Sequence, residues 1–319
     1  MKIILTGACG FIGSCFLGYL NKKGIEDIIL VDRINEKKRK NIENKKFKDY
    51  YDKDEFIQKI EEKRFDKNFD FLIHLGACTN TREKNVEYIL KNNFIYSKKL
   101  AVFCLENDIE FIYASSAATY GKEEKNFSDE EENIENLIPV NLYGLSKNIF
   151  DLWVVLNKFH NKFVGLKFFN VYGTNEEHKG EMRSIISKGY EQITQTGKIK
   201  LFKSYRKEYK DGEQKRDFVY VKDVCEVIWF FMENRKKKGI FNVGTGKARS
   251  FNEVAEILFK YLGKKKNIEY IDMPIDMKES YQYFTQANIE KLRSAGYKNG
   301  FMELEEGIKN FIQSQKVHL

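Results

Sequence analysis

Proline is nearly missing from this chain, at 2 of 319 residues. With Phe, Tyr and Trp together at 14%, that scarcity argues against a linker-rich or low-complexity protein. The five cysteines, at 9, 15, 78, 104 and 225, form no C-x-x-C pair and leave one over, so a disulfide framework is not expected. The four histidines, at 74, 160, 178 and 318, are equally scattered, and no metal site is expected. No apolar run approaches the ~20 residues that a membrane span requires. The opening Met1-Lys2-Ile3-Ile4-Leu5-Thr6-Gly7 is too short an apolar run for a signal peptide. A soluble, cytoplasmic chain with no membrane partner is the expectation.

Apolar residues at 42% and charged residues at 32% give ample material for a core. The length corresponds to about two domains of ~150 residues. Lys and Arg outnumber Asp and Glu by 55 to 47, a net charge of +8. The surplus is diluted among nearly as many acids and forms no aromatic-interleaved stripe. It suits an anionic small molecule better than nucleic acid, which is not expected as a partner.

Lys2 to Thr6 reads as a short buried strand, Phe11 to Lys22 has helical periodicity, and Asp27 to Asp32 returns as a strand. Further strand-like runs lie at Phe69–Leu75, Ile109–Ser115 and Phe163–Phe169, with helical stretches between them. This alternation argues for a parallel sheet covered on both faces. Beyond about residue 171 the pattern loosens into short helical pieces, a charged segment from Lys203 to Lys215, and strand signals at Phe218–Val221 and Phe241–Val243. The expected division is a dinucleotide-binding part over 1–170, rejoined by a return segment near 217–245, and a mainly substrate-binding part over 171–319.

Gly7, Gly10 and Gly13 occupy the passage from the first strand into the first helix. One permits the tight turn, one lets a pyrophosphate approach the backbone, and one lets helix and strand pack closely. The helix N-terminus then offers free N–H groups and partial positive charge to phosphates. Asp32 follows 19 residues after Gly13 at the end of strand two, where a carboxylate bonds a ribose hydroxyl. Arg33, Lys37, Lys38, Arg39 and Lys40 come next, with Lys53 beyond, which favours a 2′-phosphate and hence NADP over NAD. The fold class expected is α/β: a Rossmann-type doubly wound parallel sheet with a smaller α/β substrate-binding domain.

Tyr143 and Lys147 stand at i and i+4, on one face of a helix. A free tyrosine, with a pKa of about 10, is a poor base at neutral pH. A nearby ammonium and a positive nicotinamide would favour its phenolate, and the same lysine can bond the nicotinamide ribose. Upstream, Ala114-Ser115-Ser116-Ala117-Ala118-Thr119-Tyr120-Gly121 follows a strand, where a hydroxyl can sit beside a reacting carbonyl or alcohol.

With Gly7, Gly10, Gly13, Ser116, Tyr143 and Lys147 in this order, the chain resembles the extended short-chain dehydrogenase/reductases. Arg216 to Val224 and Phe241 to Gly246 look like the same family's C-terminal landmarks, so the resemblance spans essentially the whole chain. Gly76-Ala77-Cys78-Thr79-Asn80-Thr81, Asn92-Asn93, Phe168 to Gly173, His178-Lys179-Gly180 and Tyr281 to Ala287 narrow it to the branch that epimerises C6 of ADP-activated heptose.

That resemblance implies an isomerase acting on ADP-D-glycero-β-D-manno-heptose. Hydride would leave C6 for the dinucleotide, give a transient ketone and return to the opposite face, supplying heptose for lipopolysaccharide. Tyr143 would serve one face and Lys179 the other, with Ser116 on the oxygen and Lys147 positioning the cofactor. The alternative for Lys179 is a phosphate-binding or plain surface lysine. Phe11, Ile12, Asp32, Arg33, Arg39, Lys53, Leu75, Gly76, Ala77, Cys78, Thr79, Asn92 and Val171 would also meet the cofactor. Asn170, Glu181, Lys188, Phe202, Ser204, Arg216 and Tyr281 would meet the substrate, and the family usually forms homo-oligomers.

Three departures from the family pattern stand out. Glu181 replaces a small hydroxyl residue, Arg33 an asparagine, and the Lys203–Lys215 segment is longer than usual. A second reading is another nucleotide-sugar epimerase or a dehydratase. Dehydratases of this kind carry an Asp-Glu pair after the strand-end hydroxyl, whereas Ala117-Ala118-Thr119-Tyr120 stands here. A third reading, a non-catalytic dinucleotide sensor, would be expected to lose the tyrosine or the lysine, and both are present.

Overall fold

In a computed structural model, residues 1–122, 126–278 and 281–317 are described, and His318 lies outside them. The chain opens with β1 (Ile3–Thr6), α1 (Phe11–Lys22), β2 (Ile28–Asp32), α2 (Glu36–Arg39), β3 (Asp49–Asp52), α3 (Lys53–Glu61) and β4 (Phe71–His74). Then come α4 (Val86–Leu90), a π-helical turn over Lys91–Ile95, α5 (Tyr96–Glu106), β5 (Glu110–Ser116), α6 (Leu142–Leu156), β6 (Val164–Phe168) and β7 (Asn170–Tyr172). Next are α7 (Ile185–Thr196), β8 (Ile199–Phe202), β9 (Lys215–Tyr220), α8 (Val221–Glu233), β10 (Gly239–Val243), β11 (Ala248–Ser250) and α9 (Phe251–Leu262). The chain ends with β12 (Ile268–Ile271), α10 (Ile275–Lys278), α11 (Glu290–Ser294) and α12 (Leu304–Val317).

Seven strands form one parallel sheet in the order β10-β6-β5-β4-β1-β2-β3. β1, β2, β4 and β6 are buried at every position, so these runs are apolar instead of alternating. Strand order reverses beside β1, because β2 and β3 lie on one side and β4, β5 and β6 on the other. Ligands of open α/β sheets bind at such a switch point, outside the carboxyl ends of the strands. Helices cover both faces. Phe16, Leu17 and Leu20 of α1 pack with Val224, Val227 and Ile228 of α8 on one. Leu100, Phe103 and Cys104 of α5 pack with Phe150 and Val154 of α6 on the other.

The structure differs from the sequence reading in detail. β4 and β6 are shorter than the apolar runs that announce them, and β5 is shifted by one residue. β3, whose sequence is Asp-Tyr-Tyr-Asp, was not expected; it is the half-exposed edge of the sheet and carries no buried-strand pattern. Within the return segment β10 pairs with β6 in the main sheet, whereas β9 pairs parallel with β7 and antiparallel with β11 in a separate sheet of three. β8 and β12 form a third, two-stranded parallel sheet. A second core, including Ile186, Ile193, Val254, Leu258 and Ile308, lies among α7, α9 and α12. Among the described residues no helix is long and apolar enough to cross a membrane.

Candidate active site

The turn between β1 and α1 is built so closely that only glycine fits. Gly7 has φ +68°, and a Cβ there would lie 2.5 Å from the Gly76 nitrogen; a Cβ on Gly13 would lie 2.1 Å from the Gly7 oxygen. Gly10, extended at φ −76°, heads α1 with no side-chain cap, which leaves the first-turn N–H groups to a ligand. Such a bare, uncapped backbone cradle fits a dinucleotide pyrophosphate. At the end of β2, Asp32 accepts the Cys9 N–H at 2.9 Å, the Arg33 N–H at 2.7 Å and Lys38 Nζ at 2.8 Å. Arg33 pairs instead with Asp54, whose other oxygen takes Lys53 Nζ at 3.1 Å; Lys53 also donates to Asn92 Oδ1 at 2.8 Å. Arg39 is exposed at the end of α2.

A cleft of about 1820 Å³ opens at the carboxyl ends of the strands. Phe11, Ile12, Leu75, Ala77, Thr79, Ser116, Tyr143, Lys147, Asn170, Val171, Lys179, Glu181, Lys188, Phe202, Arg216 and Tyr281 all line it. Gly7, Gly10, Gly13, Asp32, Arg33, Arg39, Lys53, Gly76, Cys78, Asn92 and Ser204 do not. Cys78 is pinned behind the wall, because its N–H and carbonyl both bond the buried Asn93 side chain, which also reaches Ser146 on α6. Ser204 turns into its own loop, donating to the Arg206 carbonyl at 3.0 Å while its N–H bonds Asp211.

Asn141 caps α6 by accepting the Gly144 N–H at 2.8 Å, which fixes Tyr143 in the first turn. Burial raises the Tyr143 phenol above its ordinary value, and a hydrogen bond with Ser116 pulls it back. The lowering expected from the helical spacing is therefore not met: desolvation of the ring prevails. Lys147, one turn on, donates to the Ala114 carbonyl at 2.7 Å, and burial brings it down to about 8.

The loop after β7 presents Lys179. Glu176, itself buried, accepts the Gly173 N–H at 3.0 Å, the Ser184 N–H at 2.6 Å and the Ser184 hydroxyl at 2.8 Å, so its carboxylate ties both ends of the loop together. Lys179 lies 5.5 Å from the centre of the Phe11 ring; burial lowers its pKa, and the nearby Glu176 opposes that. Asn41 bonds the Cys9 and Asn175 carbonyls and His178 Nδ1, so the glycine turn and this loop share one side chain.

At the far wall Arg216 is buried on β9, 5.1 Å from the Tyr281 ring centre, and Tyr281 packs edge-on to Phe202. Glu181 is exposed at the mouth, and its backbone carbonyl, not its carboxylate, takes Lys188 Nζ at 3.2 Å. Asp54 and Glu176 were not singled out from the sequence; Lys38 was named only within the basic run and Asn93 only within the Asn92-Asn93 motif, with no individual role given to either. Among the described residues no group of three His, Cys, Asp or Glu is placed to hold a metal ion.

Residues 3–244 match the model of the NAD dependent epimerase/dehydratase family. The chain is 45% identical over 322 residues to an ADP-L-glycero-D-manno-heptose-6-epimerase from Fusobacterium nucleatum, covering 98% of this chain and 97% of the relative. It is 44% identical over 311 residues to the enzyme of that name from Nitratidesulfovibrio vulgaris, covering 97% and 96%. The crystal structure of the Helicobacter pylori ADP-L-glycero-D-manno-heptose-6-epimerase superposes with a TM-score of 0.83 at 29% identity, over 98% of this chain and 95% of that one.

Proposed function

Since the chain belongs to the NAD dependent epimerase/dehydratase family, we propose that it interconverts ADP-D-glycero-β-D-manno-heptose and its L-glycero epimer at C6, through a transient 6-keto sugar, to supply heptose for lipopolysaccharide. The observation that carries this reading is the presence of two proton-carrying groups, Tyr143 on α6 and Lys179 on the β7–α7 loop, in the lining of one cleft beside the glycine turn. Inverting a carbon through a ketone requires proton transfer on two faces, and two separate elements supply it.

Phe11, Ile12 and the glycine turn hold the dinucleotide, with Val171 and the Leu75–Thr79 loop alongside; the chemistry it supplies when bound is reversible acceptance of hydride from C6. Tyr143 exchanges the proton of the C6 oxygen, Ser116 bonds that oxygen, and Lys147 holds the ribose and favours the phenolate. Lys179 exchanges the proton on the opposite face. Arg216, with Lys188 at the mouth, binds the diphosphate, and Asn170, Phe202 and Tyr281 surround the sugar nucleotide. NADP is the preferred cofactor, a reading supported by Lys38 against Asp32 and by the basic run that follows.

Residues 1–170, rejoined near 217–245, serve the dinucleotide, and 171–319 mainly the substrate, which the pairing of β10 with β6 supports. Self-association is supported by the exposed Ile95, Leu145 and Leu156 on neighbouring helical segments.

The test is to incubate the purified protein with ADP-D-glycero-D-manno-heptose in D2O without added reductant and follow C6 by NMR. Interconversion with no deuterium gained at C6 is expected. Failure to interconvert, with dinucleotide demonstrably bound, would direct the search to other nucleotide-sugars.

A further inference from the structure

Tyr143, Lys147 and Asp151 succeed one another at four-residue steps along α6 and so share one face. The reaction described above has no use for Asp151, yet it forms an ion pair with Lys167 of β6 in which both side chains are 0% exposed. A buried ion pair generally stabilises a fold no better than apolar residues of the same volume. Its connections show what else it does. Asp151 Oδ2 accepts from Lys167 Nζ and from the Ser115 hydroxyl, each at 2.6 Å, and Oδ1 accepts from the Tyr113 hydroxyl at 3.0 Å. Lys167 Nζ also donates to Thr119 Oγ1 at 2.9 Å, and Thr119 donates to the Ser116 carbonyl at 2.8 Å. The helix that carries Tyr143 and Lys147 is thereby joined to the strand end that carries Ser116, and to the strand that leads to Asn170.

We propose that Asp151 and Lys167 are a positioning pair that holds Tyr143 and Lys147 in register with Ser116, and that Asp151 supplies the counter-charge to Lys147. The proposal rests on the roles given above to Tyr143, Lys147 and Ser116. Lys147 is 4% exposed, and its bond to Ala114 is to a neutral carbonyl. The groups facing it are Tyr143 and Asp151 on its own helix, His74 from β4 and, through Asp151, Lys167 from β6. Burial holds His74 neutral, so Asp151 is the carboxylate that opposes the loss of the Lys147 proton. Without it, Lys147 gives up that proton at lower pH, and its grip on the ribose weakens there.

The experiment titrates NADPH binding by fluorescence from pH 6 to 9.5 in the native protein, in Asp151→Asn and in the neutral double variant Asp151→Asn/Lys167→Met, and measures turnover of ADP-heptose in parallel. Native affinity should fall as pH rises past about 8. The midpoint in Asp151→Asn should lie lower by about 0.5 pH unit or more, and both variants should lose about tenfold or more in kcat with KM nearly unchanged. A merely structural role moves Tm and leaves the midpoint and the kcat of the folded protein in place. An unmoved midpoint, or a double variant of native kcat, overturns the proposal. If Asp151→Asn alone fails to fold because Lys167 is left buried and unpaired, the double variant decides by its kcat. If the native protein binds NADPH but does not turn over ADP-heptose, the functional reading fails while the binding titration still tests the pair.

Discussion

Nζ of Lys38 donates to Oδ1 of Asp32 at 2.8 Å, in the position where a carboxylate alone would repel a ribose 2′-phosphate. Half-shielded on the short α2 and six residues beyond Asp32, Lys38 offsets that charge and stays within reach of an anion. Arg39, next along, points to solvent. Lys38→Met is therefore expected to weaken NADP binding by about tenfold, the worth of one charge-assisted hydrogen bond, and NAD binding by less than about threefold. Calorimetric titration of both cofactors checks this. An equal loss for the two would mean that Lys38 shapes the loop and does not read the phosphate.

Tyr143→Phe keeps the ring that the cleft packs around and removes the hydroxyl that meets Ser116. Turnover should fall by about a thousandfold, within the range for losing a general acid/base, while the dissociation constant for NADP changes little. A variant retaining more than about a tenth of native kcat would remove Tyr143 from the proton relay.

Lys179 is partly desolvated beside Phe11, which brings its neutral, basic form closer to working pH. Lys179→Met should lower kcat by about a hundredfold or more at nearly constant KM. A raised KM with kcat preserved would instead identify a diphosphate ligand.

The apolar runs of β1, β2, β4 and β6 and the spacing of the three glycines made the sheet and its turn legible, because strands buried on both faces have little freedom of composition. β3 was not, since an edge strand needs no apolar side chain. Nor was the departure of β9 from the main sheet, because its Arg-Asp-Phe-Val-Tyr sequence fits either partner. At the site, Tyr143 and Lys147 were visible through helical spacing, and one more step of four would have reached Asp151. Periodicity reasoning assigns charged residues to the surface, so a carboxylate and an ammonium at 0% exposure escaped it. Glu176, and the role of Asn93, escaped for a related reason. Their work is to bond backbone groups of distant loops, and no local pattern announces that.

His74 ends β4 with both ring nitrogens engaged. Ser97 spends its own proton on the Asn93 carbonyl, so His74 Nε2–H donates to the Ser97 oxygen at 2.8 Å, and Nδ1 accepts from Thr6 at 2.6 Å. A second ring proton would break the Thr6 bond, and burial with the nearby Lys147 brings the His74 pKa down to about 3. The unfolded chain binds that proton near pH 6.5, so the contribution of His74 to stability is complete above 6.5 and is lost as pH falls toward 3. Asp129 and Asp223, raised by burial to about 6, act in the opposite sense between about 4 and 6 and mask the slope in the native protein alone. Comparison with His74→Gln isolates it. By denaturant unfolding the variant should be the less stable at pH 7.5, and the gap should narrow at up to about 1.4 kcal/mol per pH unit on acidification, the limit for one linked proton. A gap that stays constant from pH 7.5 to 4.5 would mean that His74 carries its second proton in the folded protein, with Thr6 turned to accept it.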